Sequence, residues 1–346
     1  MMKTVLITGG AGFFGGVLKR ELLARNYSCV SLDIVPDEDS HPNLTSYQAD
    51  IRDRAAVDRV FSAHSFDGVA HCAAMLAHEL KDMKALWASN VDGTRNVADA
   101  AVAHGVKHLV FTSSNCLWGE PFGRAVREDD VPAPIEVYGE SKHEGEKILQ
   151  EYGNELNAVI IRCPTIIDFG RLGLLAILFE FIDEHRRVWT VGGGTNRYQF
   201  IYAKDLADAC IRALGHTNSD VFNIGSDDVK SLGDVYRYVV KQAGSRSKVA
   251  SLPLRPTIAA MKLAHKLKIS PLGPYHYKMI AEDFLFDTSK IKEHLGWRPT
   301  LTNEQMLLCA YQYYSKNRRE IESRTDVSDH RRAAKMGVIR LLKWAS

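Results

Sequence analysis

Short apolar runs separated by stretches of helical periodicity set the rhythm of the first 163 residues. Five runs rich in β-branched residues predict strands: Thr4 to Thr8, Ser28 to Leu32, Gly68 to His71, His108 to Thr112 and Ala158 to Arg162. Strands alternating with helices predict an α/β chain with a doubly wound parallel sheet. Beyond residue 164 the regularity is lost. Gly192-Gly193-Gly194, Gly225, Pro253, Pro256, Pro271 and Pro274 divide short elements there. This predicts a core over residues 1–165, a smaller C-terminal α/β lobe for substrate over 166–317 with some return to the core, and a tail over 318–346. Asp287-Thr288-Ser289 is expected to cap a helix that Gly296 closes and Pro299 follows.

The first strand runs into Thr8-Gly9-Gly10-Ala11-Gly12-Phe13-Phe14-Gly15, and from Phe13 a helical pattern continues through Leu18, Leu22 and Leu23. A Gly-x-x-Gly-x-x-Gly turn between strand and helix has a physical use at each glycine. Gly9 permits the tight turn, Gly12 lets backbone N–H groups approach a pyrophosphate, and Gly15 lets the helix pack close to the strand. Asp33 follows about twenty residues on, at the end of the second strand, where a carboxylate accepts from ribose hydroxyls and repels a 2′-phosphate. Ile34-Val35-Pro36 supplies no arginine, so NAD is favoured over NADP. The bland alternative is a solvated strand-end aspartate.

With this turn and acid in place, the chain from residue 3 to about 315 resembles the extended short-chain dehydrogenase/reductase family, the NAD-dependent epimerases and dehydratases, built on a Rossmann-type sheet. Further matches are Asp50-Ile51-Arg52-Asp53, His71-Cys72-Ala73-Ala74 and Asn90-Val91-Asp92-Gly93-Thr94-Arg95-Asn96. The resemblance implies cofactor contacts at Gly9, Gly12, Phe13, Phe14, Gly15, Asp33, Asp50, Ile51, Ala73, Ala74, Asn90 and Cys163, with Tyr138 and Lys142 at the nicotinamide end.

Tyr138-Gly139-Glu140-Ser141-Lys142 follows the strand ending Phe111-Thr112-Ser113-Ser114. Residues four apart share a helix face, so Tyr138 and Lys142 can reach the same end of a cofactor. A neighbouring cation favours the phenolate, which can exchange a proton with a substrate hydroxyl. Family resemblance adds a bond from Lys142 to the nicotinamide ribose and a role for Ser114 in holding the substrate oxygen. A Tyr-x-x-x-Lys spacing also arises by chance on solvated helices, and only its position after the glycine turn separates the two readings. Thr112 and Ser113 are expected to be strand-end hydrogen-bonders, His71 a satisfied near-core histidine, and Cys116 and Cys163 buried thiols.

Asn115-Cys116 stands where the family's dehydratases carry Asp-Glu, so water elimination is not expected. Gln199 to Ala207 and Leu295-Gly296-Trp297-Arg298-Pro299 resemble the sugar 4-epimerases. Departures fall where those enzymes hold a nucleotide diphosphate. Thr165 replaces an asparagine, Tyr198 takes an arginine's place with Arg197 displaced by one, and Tyr277-Lys278-Met279-Ile280 replaces an Arg-x-Gly-Asp contact. The apolar stretch from Leu252 through Lys268 resembles members that handle lipid-like substrates, or is a core helix of the small lobe. The expected function is NAD-dependent epimerisation of a nucleotide-linked or lipid-linked sugar. Alternatives are a 3β-hydroxysteroid-type dehydrogenase of a hydrophobic alcohol and a non-catalytic NAD-binding regulator, the latter opposed by the intact Ser114, Tyr138 and Lys142.

Totals change this picture little. In 346 residues, 44 basic and 42 acidic side chains give a net charge of +2, which offers no global field for nucleic acid or a membrane. Six dispersed cysteines show no metal-ligand spacing and fit reduced thiols in a cytoplasmic protein, with no metal expected. The stretch 318–346 carries eight basic residues against four acids, and Val338, Leu341, Leu342 and Ala345 share a helical face. Peripheral contact with the inner face of a membrane, or docking of this tail on protein, are its two readings. Family resemblance also implies a homodimer through helices in the Met83 to Val102 and Tyr138 to Gln150 regions.

Overall fold

The computed structural model describes residues 3–76, 82–120, 122–267 and 274–323. The expected strands are present, most of them a residue or two longer at an end. They are β1 (Thr4–Thr8), β2 (Ser28–Asp33), β4 (Gly68–His71), β5 (His108–Ser114) and β6 (Asn157–Cys163). Two edge strands, β3 (Leu44–Gln48) and β10 (Asp220–Asn223), complete a parallel sheet of seven in the order β10-β6-β5-β4-β1-β2-β3. Strand order reverses between β1 and β4, and the carboxyl ends there open a crevice suited to a ligand.

Helices cover both faces. Against one lie α1 (Phe13–Ala24) and α7 (Ala203–Ala213), whose buried Val17, Leu18, Leu22, Leu206 and Cys210 share a core with Ile7, Val110 and Ile161. Against the other lie α2 (Arg54–Ala63), α4 (Gly93–Ala103) and α5 (Val137–Glu151), through Val57, Val60, Val97, Ala101 and Leu149. A short helix α3 (Met83–Trp87) runs through one π-helical turn, Ala88–Asp92, into α4.

The second lobe has its own core, in which Phe179 and Ile182 of α6 (Leu175–Asp183), Val235 and Val239 of α8 (Leu232–Gln242) and Leu307 and Tyr311 of α12 (Asn303–Ser323) meet. Two small separate parallel sheets pair β7 (Thr165–Ile167) with β9 (Phe200–Tyr202) and β8 (Val188–Val191) with β11 (Val249–Leu252). The remaining helices are α9 (Leu254–Lys266), α10 (Pro274–Ala281) and α11 (Ser289–Leu295). Gly296 closes α11 at φ +60, while the N-terminal contact comes from Asp287, which accepts from Ser289 N at 2.9 Å, and Thr288 makes no side-chain cap. Fully buried Trp297 then donates from Nε1 to Asp205 O at 2.8 Å, joining the two segments singled out at Gln199 to Ala207 and Leu295 to Pro299.

On the helices that the resemblance offers for a subunit interface, Leu86, Val97, Ile148 and Leu149 are all buried within the chain itself, so these four are core. The stretch after Leu252 is no core helix, because α9 has no buried residue at all. Residues 324–346, including the helical face at Val338 to Ala345, lie outside the described residues. Among the described residues no helix is long and apolar enough to cross a membrane.

Candidate active site

A cleft of about 1220 Å³ runs along the carboxyl ends of the strands, from Asp33 and Asp50 at one end to Ser114, Tyr138 and Lys142 at the other, and on to Arg171, Leu174 and Met279 of the second lobe. Its floor is the glycine turn. Gly9 has φ +72, and a Cβ there would sit 2.8 Å from the Ala73 backbone. At Gly15 a Cβ would lie 2.0 Å from Gly9 O, so this glycine packs the helix against the turn itself rather than against the strand. Gly12 is the N-cap of α1 and places no side chain over the first N–H groups of the helix. An anion in the cleft can take those donors at the positive end of the helix dipole.

Asp33 is half-buried and accepts from Ala11 N at 3.0 Å and Val35 N at 3.2 Å, so its carboxylate is fixed beside the turn rather than free in solvent. The loop that follows is anchored by Lys19. This lysine is 1% exposed and paired to Asp37 and Asp39, a burial tolerated because both partners are acids. Asp50 is gripped by Arg52 at 2.6 Å, which holds its carboxyl below the usual range, and with Ile51 it lines the cleft.

Phe13, Phe14, Ala73, Ala74 and Cys163 line the cleft. Asn90 does not. Its amide accepts from Met75 N at 2.7 Å and donates to Met75 O and Ser141 Oγ, both at 3.0 Å, tying the loop after β4 to α5. It positions the wall instead of forming it.

At the far end, α5 begins hard against the turn after β5, because a Cβ on Gly139 would meet Cys116 O at 2.1 Å. This close approach sets Tyr138 beside the Ser114 strand end, and both face the cleft. The Ser114 hydroxyl accepts from Cys116 N at 3.1 Å. One turn along α5, Lys142 is 2% exposed with its Nζ 4.0 Å from the centre of the Phe111 ring, and burial pushes its ammonium down to about 8. Below it lies a pair that spacing did not reveal: Glu146 holds Arg162 in a bidentate bridge at 2.7–3.2 Å and accepts from Ser113 Oγ at 2.5 Å. Only the four-residue step from Lys142 hinted at Glu146.

The bland expectations also find their places. Thr112 donates to His71 O at 3.3 Å. His71 is fully buried between Thr8 Oγ1 at 2.6 Å and Thr94 Oγ1 at 2.9 Å, and burial, with the nearby Lys142 charge, pushes it down to about 3. Burial pushes the Cys116 and Cys163 thiols up to about 12, which removes them as nucleophiles at neutral pH.

In the second lobe, Tyr198 is buried and accepts from Asn115 Nδ2 at 2.6 Å, while Arg197 is turned to Asp283 at 3.1 Å. Neither replaces a phosphate-binding arginine. Arg171, missed in the sequence because no motif marks it, does line the cleft, 5.6 Å from the Phe13 ring centre. The walls around it are apolar: Leu172, Leu174, Leu175, Phe200 and Met279.

A model of the NAD-dependent epimerase/dehydratase family matches residues 5–225. The Sinorhizobium fredii protein y4nG is 36% identical over 349 residues, covering 100% of this chain and 87% of that protein. A UDP-glucose 4-epimerase of Lacticaseibacillus casei is 31% identical over 254 residues, 64% of this chain and 76% of the relative. Among solved structures, the UDP-glucose 4-epimerase of Thermotoga maritima superposes with a TM-score of 0.75 at 23% identity, covering 91% of this chain and 99% of that one.

Proposed function

The chain belongs to the NAD-dependent epimerase/dehydratase family, and from that premise we propose that it inverts a ring carbinol, C4 by analogy with its relatives, of a sugar carried on a nucleotide or a lipid. One observation carries the reading. A single cleft joins the glycine cradle to Ser114, Tyr138 and Lys142, with no acid pair beside Ser114 to drive elimination.

The residues present fit NAD. The turn at Gly9, Gly12 and Gly15 leaves the room that a pyrophosphate needs at the start of α1, and Asp33 is the carboxylate for a ribose. Held by these residues, NAD would supply reversible acceptance of a hydride from the sugar carbinol. The protein's part is proton management. Tyr138 accepts the carbinol proton and gives it back, Lys142 lowers the cost of the phenolate, and Ser114 donates to the same oxygen as its charge changes. Arg171 is the cation placed to meet a diphosphate, and apolar Leu174, Leu175 and Met279 hold what lies beyond it.

Those apolar walls also support a second reading, oxidation of a hydrophobic alcohol. Incubation with a panel of sugar nucleotides, lipid-linked sugars and sterols, following product and reduced-cofactor absorbance, separates them. Interconversion of epimers without net reduction supports the first reading, and stoichiometric reduction of added NAD supports the second. We also propose a homodimer, with Trp87, 38% exposed on α3, at its interface. A one-subunit mass in light scattering at micromolar concentration excludes it.

A further inference from the structure

The net charge of +2 hides a strong internal asymmetry. Between Asp234 and Glu282 the chain has 47 residues without a single acid, and they carry nine lysines and arginines. The remainder holds 35 basic and 42 acidic residues, so the positive excess belongs to one segment of the second lobe, not to the C-terminal tail alone. Seven of these cations fall where side chains are described, at Arg237, Lys241, Arg246, Lys248, Arg255, Lys262 and Lys266, and all are exposed.

At the centre of this segment lies α9, built the wrong way round for a helix of a water-facing surface. Thr257, Ile258, Met261 and Ala264 are its half-buried positions, facing the protein. The opposite side is apolar too. Pro256, Ala259, Ala260, Leu263 and Leu267 fall together on it at helical spacing, all are exposed, and the two leucines are 58% and 59% exposed. Arg255, Lys262 and Lys266 line one flank between these faces. His265 on this helix and Met279 on the neighbouring α10 both line the cleft, so α9 stands at its mouth.

We infer that the outer face of α9 docks on the surface of an anionic lipid bilayer, with its leucines in the interface and its cations on the headgroups. A polyanion such as nucleic acid would use the cations but gives the outward leucines no partner; a bilayer uses both. The inference goes beyond the reaction proposed above and does not depend on it. If both hold, docking sets the open end of the cleft against the membrane, where an amphiphilic substrate resides.

The test is co-sedimentation of the full-length protein with phosphatidylcholine vesicles, with and without phosphatidylglycerol. Binding is expected only to the anionic vesicles and is weakened by salt. Replacing Arg255, Lys262 and Lys266 with Gln should weaken it roughly 100-fold, at about five-fold per cation. Leu263→Gln with Leu267→Gln should weaken it at least roughly ten-fold. Both variants should keep the wild-type far-ultraviolet circular dichroism and NAD affinity, since none of these side chains packs in the cleft. Failure of the wild type to bind anionic vesicles overturns the proposal, as does wild-type binding by either variant, which moves the contact elsewhere in the chain. A fall in oligomer mass in the leucine variant without vesicles overturns it in favour of an interface between copies. Equal binding of a DNA duplex by wild type and leucine variant, with no preference for vesicles, overturns it in favour of a polyanion site.

Discussion

Burial pushes the Lys142 ammonium down to about 8 from an ordinary 10.5, and this gives one side chain two opposite pH dependences. As pH rises through about 8 the cation beside Tyr138 is lost, so turnover should fall, approaching tenfold per pH unit. Stability should move the other way. Between about 8 and 10.5 the unfolded chain holds this proton and the folded chain does not, so unfolding becomes harder as pH rises. Thermal unfolding of wild type against Lys142→Met across pH 7 to 11 checks the sign, and a difference that does not change with pH contradicts it. Tyr138→Phe should lower turnover by at least ~10²-fold with NAD affinity kept, read by steady-state kinetics and calorimetry. Asp33→Ala should narrow the preference for NAD over NADP in the same calorimeter, because the repulsion of a 2′-phosphate goes with the carboxylate. These three positions were legible in the sequence because their meaning is local, a tyrosine and lysine one turn apart or an acid ending a strand. The Glu146–Arg162–Ser113 cluster was not, since its members lie 16 and 33 residues apart and meet only across the sheet.

Elements with strong patterns could be read from sequence, and those at edges could not. Strands β1, β4 and β5 sit inside the sheet and show unbroken apolar runs, whereas β3 reads Leu-Thr-Ser-Tyr-Gln and has no buried residue. Strand β10, at the opposite edge, lies far along the chain in what reads as the other lobe. The glycine turn was fully legible in position, but its packing was misread at Gly15, whose neighbour is a carbonyl of the turn. That contact predicts a sharp effect. Gly15→Ala puts a methyl 2.0 Å from Gly9 O, so the turn must move, and NAD affinity should fall by more than tenfold while the second lobe stays folded. Calorimetry with circular dichroism checks it, and wild-type affinity in a folded variant would contradict it. The two readings of helix α9 could not be separated from sequence for a related reason. Periodicity shows that a face is apolar, but not whether that face meets the protein or the solvent.

At the scale of the whole molecule, the parallel sheet places cofactor chemistry at its switch point, and the second lobe closes over it with apolar walls and one arginine. A charge total near zero concealed a cationic lobe, because a sum over 346 residues cannot register where the acids are missing. The proposed reaction requires that this cleft remove and return one hydride without releasing it. It is tested most directly with a sugar substrate deuterated at the reacting carbon, converted by the purified protein in ordinary water and followed by NMR with simultaneous reduced-cofactor absorbance. The same mixture of epimers approached from either side is expected, with deuterium retained at that carbon and no net cofactor reduction. Loss of the label to water, or accumulation of a ketone in step with reduced cofactor, would contradict it.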